Sequence, residues 1–259
     1  MNEDINIYKL SKEKSLIDLV VLSHNNFKTT KQFLSLFYKN TPSKKIHIIW
    51  VDNGSSDETV DFLKNFSENN SSISIIFSQK NLGVIEGRNL GYIYSQEYSD
   101  SQSKYIMFLD NDQYVQERWF DSYIIFAEKY DVSGIEAWQM NGTFMPICKI
   151  NSNKQYFSYV GAGGMIFRKD IAKSIQINEE EIFDNRFSPA YFEDPDIIFR
   201  SYNQNLKIGW NYKAKILHMP HQTLGNTKDK NRIFIDSLKK FRNKWNKQSV
   251  PKIKQVDIL

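Results

Sequence analysis

The sequence predicts an α/β fold with a mostly parallel central sheet and flanking helices. Three observations point there: short runs of branched apolar residues, helical periodicity between them, and polar clusters where each run ends. Leu16 to Leu22 reads as a strand buried on both faces. Ser23-His24-Asn25-Asn26 breaks it, and Thr29 to Tyr38 is helical, with Phe33, Leu34 and Phe37 on one face. Ile46 to Val51 is a second strand. It ends in Asp52-Asn53-Gly54-Ser55-Ser56-Asp57, a turn signal that runs into a helix from Glu58 to about Phe66. Ile73 to Phe77 is a third strand, Val84 to Tyr94 a helix, and Tyr105 to Leu109 a fourth strand leading into Asp110.

The second half is less regular. A helix carries Trp119, Tyr123 and Ile124, followed by the turn Gly161-Ala162-Gly163-Gly164 and a strand from Met165 to Phe167. Phe192-Glu193-Asp194-Pro195-Asp196 opens a helix to about Asn203, and Ala214 to Leu217 is a last strand before His218. Ile233 to Trp245 is a basic amphipathic helix. No linker separates two independent domains. The expected organisation is a charged lead-in over 1–15, a domain over 16–225 (a regular first half, 16–112, and a less regular second half, 113–225) and a basic helix and tail over 226–259.

Composition narrows the function. A chain of 259 residues with 41% hydrophobic residues can build a substantial core, and 14% aromatics are too many for the core alone. Its 34 basic and 30 acidic residues leave a net charge of +4, too mild to argue for nucleic acid. Cys148 is the single cysteine, which excludes an intramolecular disulfide and is expected to be a small buried apolar residue. The start, MNEDINIYKLSKEKS, lacks the apolar stretch of a signal peptide, and no apolar run reaches bilayer-spanning length. The expected location is the cytoplasm, with peripheral contact of the basic helix to an acidic membrane face as a minor alternative.

In a parallel sheet, ligands bind beyond the carboxyl ends of the strands, where Ser23 to Asn26, Asp52 to Asp57, Asn81 to Gly83 and Asp110 to Asp112 all fall. Asp110-Asn111-Asp112 forms a compact anionic cup suited to a hard cation, magnesium or manganese, that keeps positions for substrate phosphate. Taken alone, the same triplet also reads as a solvated turn capping the next helix. Asp52 sits where a carboxylate can accept hydrogen bonds from a base or ribose, or can cap the following helix. Asn81-Leu82-Gly83 with Glu86-Gly87-Arg88 brings backbone amides and a guanidinium to a helix start, a place that suits phosphate. Asp194 reads as a general base or as a helix N-cap, while Arg200 is spaced to reach back to Asp196.

The ordered series SHNN, VDNGSSDET, NLGVIEGRNLG, FLDNDQYV, GAGGMIFRKD and YFEDPDIIFR, from about Leu16 to His221, resembles the inverting GT-A glycosyltransferases of family 2. The resemblance implies a GT-A, Rossmann-like fold and transfer of a sugar, with inversion, from a nucleoside-diphosphate sugar (a UDP-sugar first) to an acceptor hydroxyl. The acceptor would be a glycan, a lipid-linked group or a peptide, and the setting cell-surface polysaccharide or glycoconjugate synthesis. It implies Asp194 as catalytic base; Ser23, Asn25, Asp52, Asn81, Arg88, Asp110 and Asn111 at the donor nucleotide; and Gly163, Gly164 and Glu193 at the sugar or acceptor. It further implies Asp112 and His218 as ligands of Mn2+ or Mg2+, with His221 a rival for His218 and Asp57 structural. Ser23-His24-Asn25-Asn26 lacks the aromatic residue usual in the first motif, which leaves the nucleotide open. Arg242-Asn243-Lys244-Trp245 is not the motif of processive members, so a single addition is expected. Two other classes stand beside this reading. A nucleotidyltransferase would bring a glycine-rich loop after the first strand, and Ser23 to Lys28 has no glycine. A noncatalytic module that binds nucleotide or carbohydrate could dispense with Asp112 or Asp194, and both are present.

Overall fold

The computed structural model describes residues 4–11, 14–42, 45–97, 103–149, 156–219, 229–246, 249–252 and 256–258. In chain order the strands are β1 (Ile5–Lys9), β2 (Ile17–Ser23), β3 (Ile46–Asn53), β4 (Ile73–Ser78), β5 (Tyr105–Asp110), β6 (Gln113–Val115), β7 (Val132–Gly134), β8 (Ala137–Met140), β9 (Pro146–Lys149), β10 (Phe157–Val160), β11 (Ile166–Arg168), β12 (Ile208–Trp210), β13 (Ile216–His218) and β14 (Asp257–Ile258). The helices are α1 (Phe27–Asn40), α2 (Thr59–Glu68), α3 (Gly83–Glu97), α4 (Trp119–Lys129), α5 (Lys169–Ile175), α6 (Glu193–Asn203) and α7 (Lys230–Lys244).

Nine strands form one sheet in the order β1-β4-β3-β2-β5-β11-β7-β12-β14. Pairing is parallel from β4 through β5 and again across β7, β12 and β14; β1 and β11 run antiparallel to their neighbours. The four parallel strands foreseen from the sequence are all present, and the mostly parallel sheet with flanking helices holds.

Alternate residues on those strands enter two separate cores, as the two-residue period of a strand requires. Leu19, Val21, Ile48 and Trp50 pack with Phe33, Phe37, Leu63 and Trp119 of α1, α2 and α4. Val20, Ile49, Val51 and Phe108 pack with Ile85, Tyr92, Ile198 and Phe241 of α3, α6 and α7. A strand covered on both sides has no polar face to show, which explains the unbroken apolar runs.

Several elements were not legible beforehand. The charged lead-in contains β1, an edge strand with alternating exposure, and the tail contributes β14, so both ends join the central sheet. The three-stranded sheet β10-β8-β9 lacks a sequence signal because its strands have only four residues each. Helix α6 starts at Glu193 behind Phe192, so Pro195 occupies its third position and Asp194 is not its N-cap. The side chain of Cys148 lies outside the described residues.

Candidate active site

A cavity of about 920 Å3 opens at the carboxyl ends of β2, β3 and β5; His24, Asn81, Arg88, Asp110, Trp138, Tyr191, Asp194 and Ile233 are among the residues that line it. Its floor is a short antiparallel pair. β6 follows directly on the acidic turn and pairs with β13, setting His218 opposite Gln113. The Met219 amide donates to the Asp112 carbonyl (2.9 Å), which closes that register. His218 is thereby brought to Asp112 across more than a hundred residues of sequence.

Asp110, Asp112 and His218 each offer a ligand atom, and these atoms lie within 4.8 Å of one another. Asp112 Oδ1 is sealed from solvent with no hydrogen-bond partner among the described residues, and His218 Nε2 stands 3.5 Å away. The other ring nitrogen, Nδ1, is 3.0 Å from Glu136 Oε1. Burial alone would lower the His218 pKa, but the Asp112 and Glu136 carboxylates outweigh it and raise it to about 10. Two carboxylates and an imidazole whose outer nitrogen is oriented by a third carboxylate fit a divalent cation. Glu136 lies in the irregular link between β7 and β8 and had no sequence signal. His221 lies outside the described residues.

The donor-side residues are placed unevenly. Asp52 is buried at the end of β3, where Ser23 Oγ donates to Oδ1 (2.9 Å) and the Ser55 amide to Oδ2 (3.0 Å). Ser23 in turn accepts from Trp50 Nε1 (2.9 Å). Asn25, at φ 42°, holds the same turn by accepting from the Ser56 amide (2.7 Å). Asp57 accepts from the amides of Phe27 and Thr59, a structural use in keeping with expectation. Ser23, Asn81, Asn111 and Asp110 line the cavity; Asp52, buried and bonded to Ser23, and Asn25, exposed on the turn, do not.

The helix start expected to meet phosphate is already engaged. The amides of Leu82, Gly83 and Val84 donate to Asn53 Oδ1, Asn81 Oδ1 and the Pro189 carbonyl. Arg88 is buried, with its guanidinium 2.6 Å from Asp110 Oδ1 and 3.4 Å from Glu193 Oε1, so it braces carboxylates from β5 and α6. Gly163 and Gly164 also differ from each other. A Cβ at Gly163 would lie 2.5 Å from Asp110 Oδ2, so the glycine makes room for that carboxylate. Gly164, at φ +88°, is the turn residue that a side chain would strain, and it packs on Ile135 away from the cavity.

At the start of α6, Asp194 Oδ1 and Glu193 Oε2 are sealed and lack hydrogen-bond partners among the described residues. Burial first, and then the neighbouring Glu193 charge, push the Asp194 carboxyl well above the usual carboxylate range. Glu193 is raised too, by burial, against the pull of Arg88. Asp196 is different. It is fully buried against Arg200 Nε (3.0 Å) and Lys244 Nζ (2.6 Å), the structural ion pair foreseen for Arg200 with a second cation added.

The family model for glycosyl transferase family 2 matches residues 18–159, more than half of the chain. The chain belongs to glycosyl transferase family 2. Two Haemophilus influenzae proteins described as uncharacterized glycosyltransferases are similar to this family 2 chain, at 28% identity over 76 residues and 26% over 116. The matches cover 29% and 45% of the chain but only 28% and 34% of those relatives, so it spans about a third of their length. Among solved structures, GalNAc-T7 with UDP, GalNAc and Mn2+ matches at TM-score 0.70 and 12% identity, covering 92% of this chain and 49% of that one. Staphylococcus aureus TarS 1-349 in complex with UDP-GlcNAc matches at TM-score 0.57 and 16% identity, covering 84% and 64%. At such identities the likeness establishes the fold, which is that of the GT-A glycosyltransferases. The family match stops before α6 and β13, so it does not extend to Asp194 and His218, which the fold brings to the cavity.

Proposed function

We propose that the chain transfers a sugar, with inversion, from a UDP-sugar to an acceptor hydroxyl, aided by a divalent cation. The observation that carries this reading is one cavity lined both by a cation-fit triad and by a sealed carboxylate with an unsatisfied oxygen, whose pKa burial and Glu193 raise. Asp112 and His218 would hold Mn2+ or Mg2+, with Asp110 beside them; bound there, the cation offsets charge on the departing diphosphate. Ser23, Asn81 and Asn111 contact the nucleotide side of the donor. Asp52 and Asn25 hold the turn beside that pocket. Inversion needs one in-line attack, so the acceptor must lie across the sugar from the diphosphate, where Asp194 takes the hydroxyl proton. A raised pKa makes Asp194 a stronger base once ionised, and Glu193 maintains that elevation.

The GalNAc-T7 and TarS structures contain UDP, or UDP-GlcNAc in the case of TarS, which supports UDP as the first nucleotide to try. The acceptor is a hydroxyl on a glycan, lipid-linked or peptide molecule, in keeping with a role in glycan assembly. Among the described residues no helix is long and apolar enough to cross a membrane. The basic face of α7 (Lys239, Lys240, Arg242) is exposed while Phe241 and Trp245 are buried, so the helix packs on the domain first and any membrane contact is peripheral.

Thermal unfolding with UDP and a panel of UDP-sugars, with and without Mn2+, tests the donor half of the reading, since ligands of the folded state raise apparent stability. A cation-dependent upward shift that Asp112→Ala abolishes is expected. Flat curves with every nucleotide would leave a noncatalytic fold in its place.

A further inference from the structure

Two consecutive residues just before the base, Tyr191 and Phe192, have φ of 73° and 68°. Bulky L-residues avoid this left-handed region, and two in succession persist only where surrounding contacts enforce them. The enforcing contacts come from α7. Phe234 sits edge-on to the Tyr191 ring (centroids 5.6 Å apart) and also packs on Phe192 (5.3 Å), which Phe241 holds at 5.3 Å as well. Ser237 Oγ donates to the Ala190 carbonyl (2.9 Å), fixing the residue before the turn. Further along α6, Trp245 Nε1 donates to Asp196 Oδ1 (2.8 Å), and Lys244 joins Asp196 to Asp184. The turn itself makes the first bond of α6, with the Phe192 carbonyl accepting from the Asp196 amide (3.2 Å). Asp194 lies between these two anchors, facing the cavity.

We propose that Phe234 is a positioning residue, clamping the left-handed Tyr191–Phe192 turn so that Asp194 is presented to the acceptor side of the cavity. This rests on the reading of Asp194 as the base. It assigns catalytic consequence to α7, which lies beyond the residues matched by the family model. The clamp is aromatic and geometric. Phe234 carries no charge and is absent from the cavity lining, so it acts through the turn alone.

Release of UDP from the best-turned-over UDP-sugar, with water as acceptor, gives the kinetic readout. Phe234→Ala is expected to lower kcat at least tenfold with donor KM and the UDP-induced thermal shift within twofold of the parent. Phe234→Tyr, which keeps the ring, restores kcat. If the alanine variant does not fold, Phe234→Leu supplies the apolar volume without the ring and is read the same way. A folded Phe234→Ala enzyme with parental kcat overturns the proposal, provided that Asp194→Asn abolishes turnover; parental turnover in Asp194→Asn overturns the base assignment instead. A crystal structure of Phe234→Ala gives a readout free of activity. Tyr191 and Phe192 are expected to leave the left-handed region and the Asp194 carboxyl to move; an unchanged turn refutes the clamp.

Discussion

The same strands carry two buried polar clusters, one at each end, and they are built on opposite principles. At the amino end, Asp18 is fully buried, yet each oxygen is spoken for: His47 (3.1 Å) at Oδ1, and Ser95 (3.0 Å), Ser103 (2.7 Å) and Lys169 (2.6 Å) at Oδ2. His47 continues to Ser74 Oγ (2.8 Å), which also accepts from the Ser11 amide. At the carboxyl end, Asp112, Glu193 and Asp194 each keep one sealed oxygen without a hydrogen-bond partner among the described residues. A saturated network rigidifies a fold, whereas an unsatisfied buried carboxylate is a cost that a ligand or proton relieves. Serine, histidine and aspartate in hydrogen-bonded series would suggest nucleophilic catalysis on paper. Here Ser74 and His47 are buried between strands, and the cluster is mortar.

The largest effect that separates the two clusters is on turnover. Asp194→Asn should cut kcat roughly 100- to 10,000-fold, the usual worth of a general base, with the UDP-induced thermal shift retained. Asp18→Asn should leave kcat of the folded enzyme near parental, measured on the same UDP-release assay; a comparable loss there would erase the distinction.

Stability should respond the other way. Asp18→Ala takes the carboxylate away from Lys169 and His47 and is expected to cost about 3–5 kcal/mol in urea unfolding, as broken buried ion pairs do. Asp194→Asn should raise stability at neutral pH, because burial and Glu193 disfavour in the folded parent an ionisation that the carboxyl undergoes freely when unfolded. A lower Tm for Asp194→Asn than for the parent would argue that its charge has a structural partner.

The pH dependence follows from the same contrast. Burial would raise the Asp18 pKa, but His47 and Lys169 hold it well below the usual range, so its stabilisation is present above about pH 3.9 and lost as pH falls through the folded value. Asp184, held low by Arg186 and Lys244 against burial, adds to the same acid limb. Asp194 has the opposite sign: its penalty appears as pH rises above about 3.9 toward its raised folded value. Unfolding curves between pH 3 and 7 should therefore converge for parent and Asp194→Asn at the acid end and separate toward neutrality. The smallest effect expected is on the cation. His218 must give up a proton to ligate, so Mn2+ affinity, followed by isothermal titration, should rise with pH.

The central sheet and its polar strand ends were legible in the residues alone, because strands buried on both faces must be apolar throughout. The sequence also marked Asp110-Asn111-Asp112 and Asp194, since those residue types stand at a strand end and a helix start. The three-dimensional packing supplied the rest. It turned Arg88 inward to carboxylates from two distant elements, left Asp52 and Asn25 out of the cavity lining, and brought Glu136 to His218. It also drew the charged lead-in and tail into the sheet. Those outcomes depend on pairing between segments far apart in the chain, and local pattern carries no record of which partner a side chain will meet.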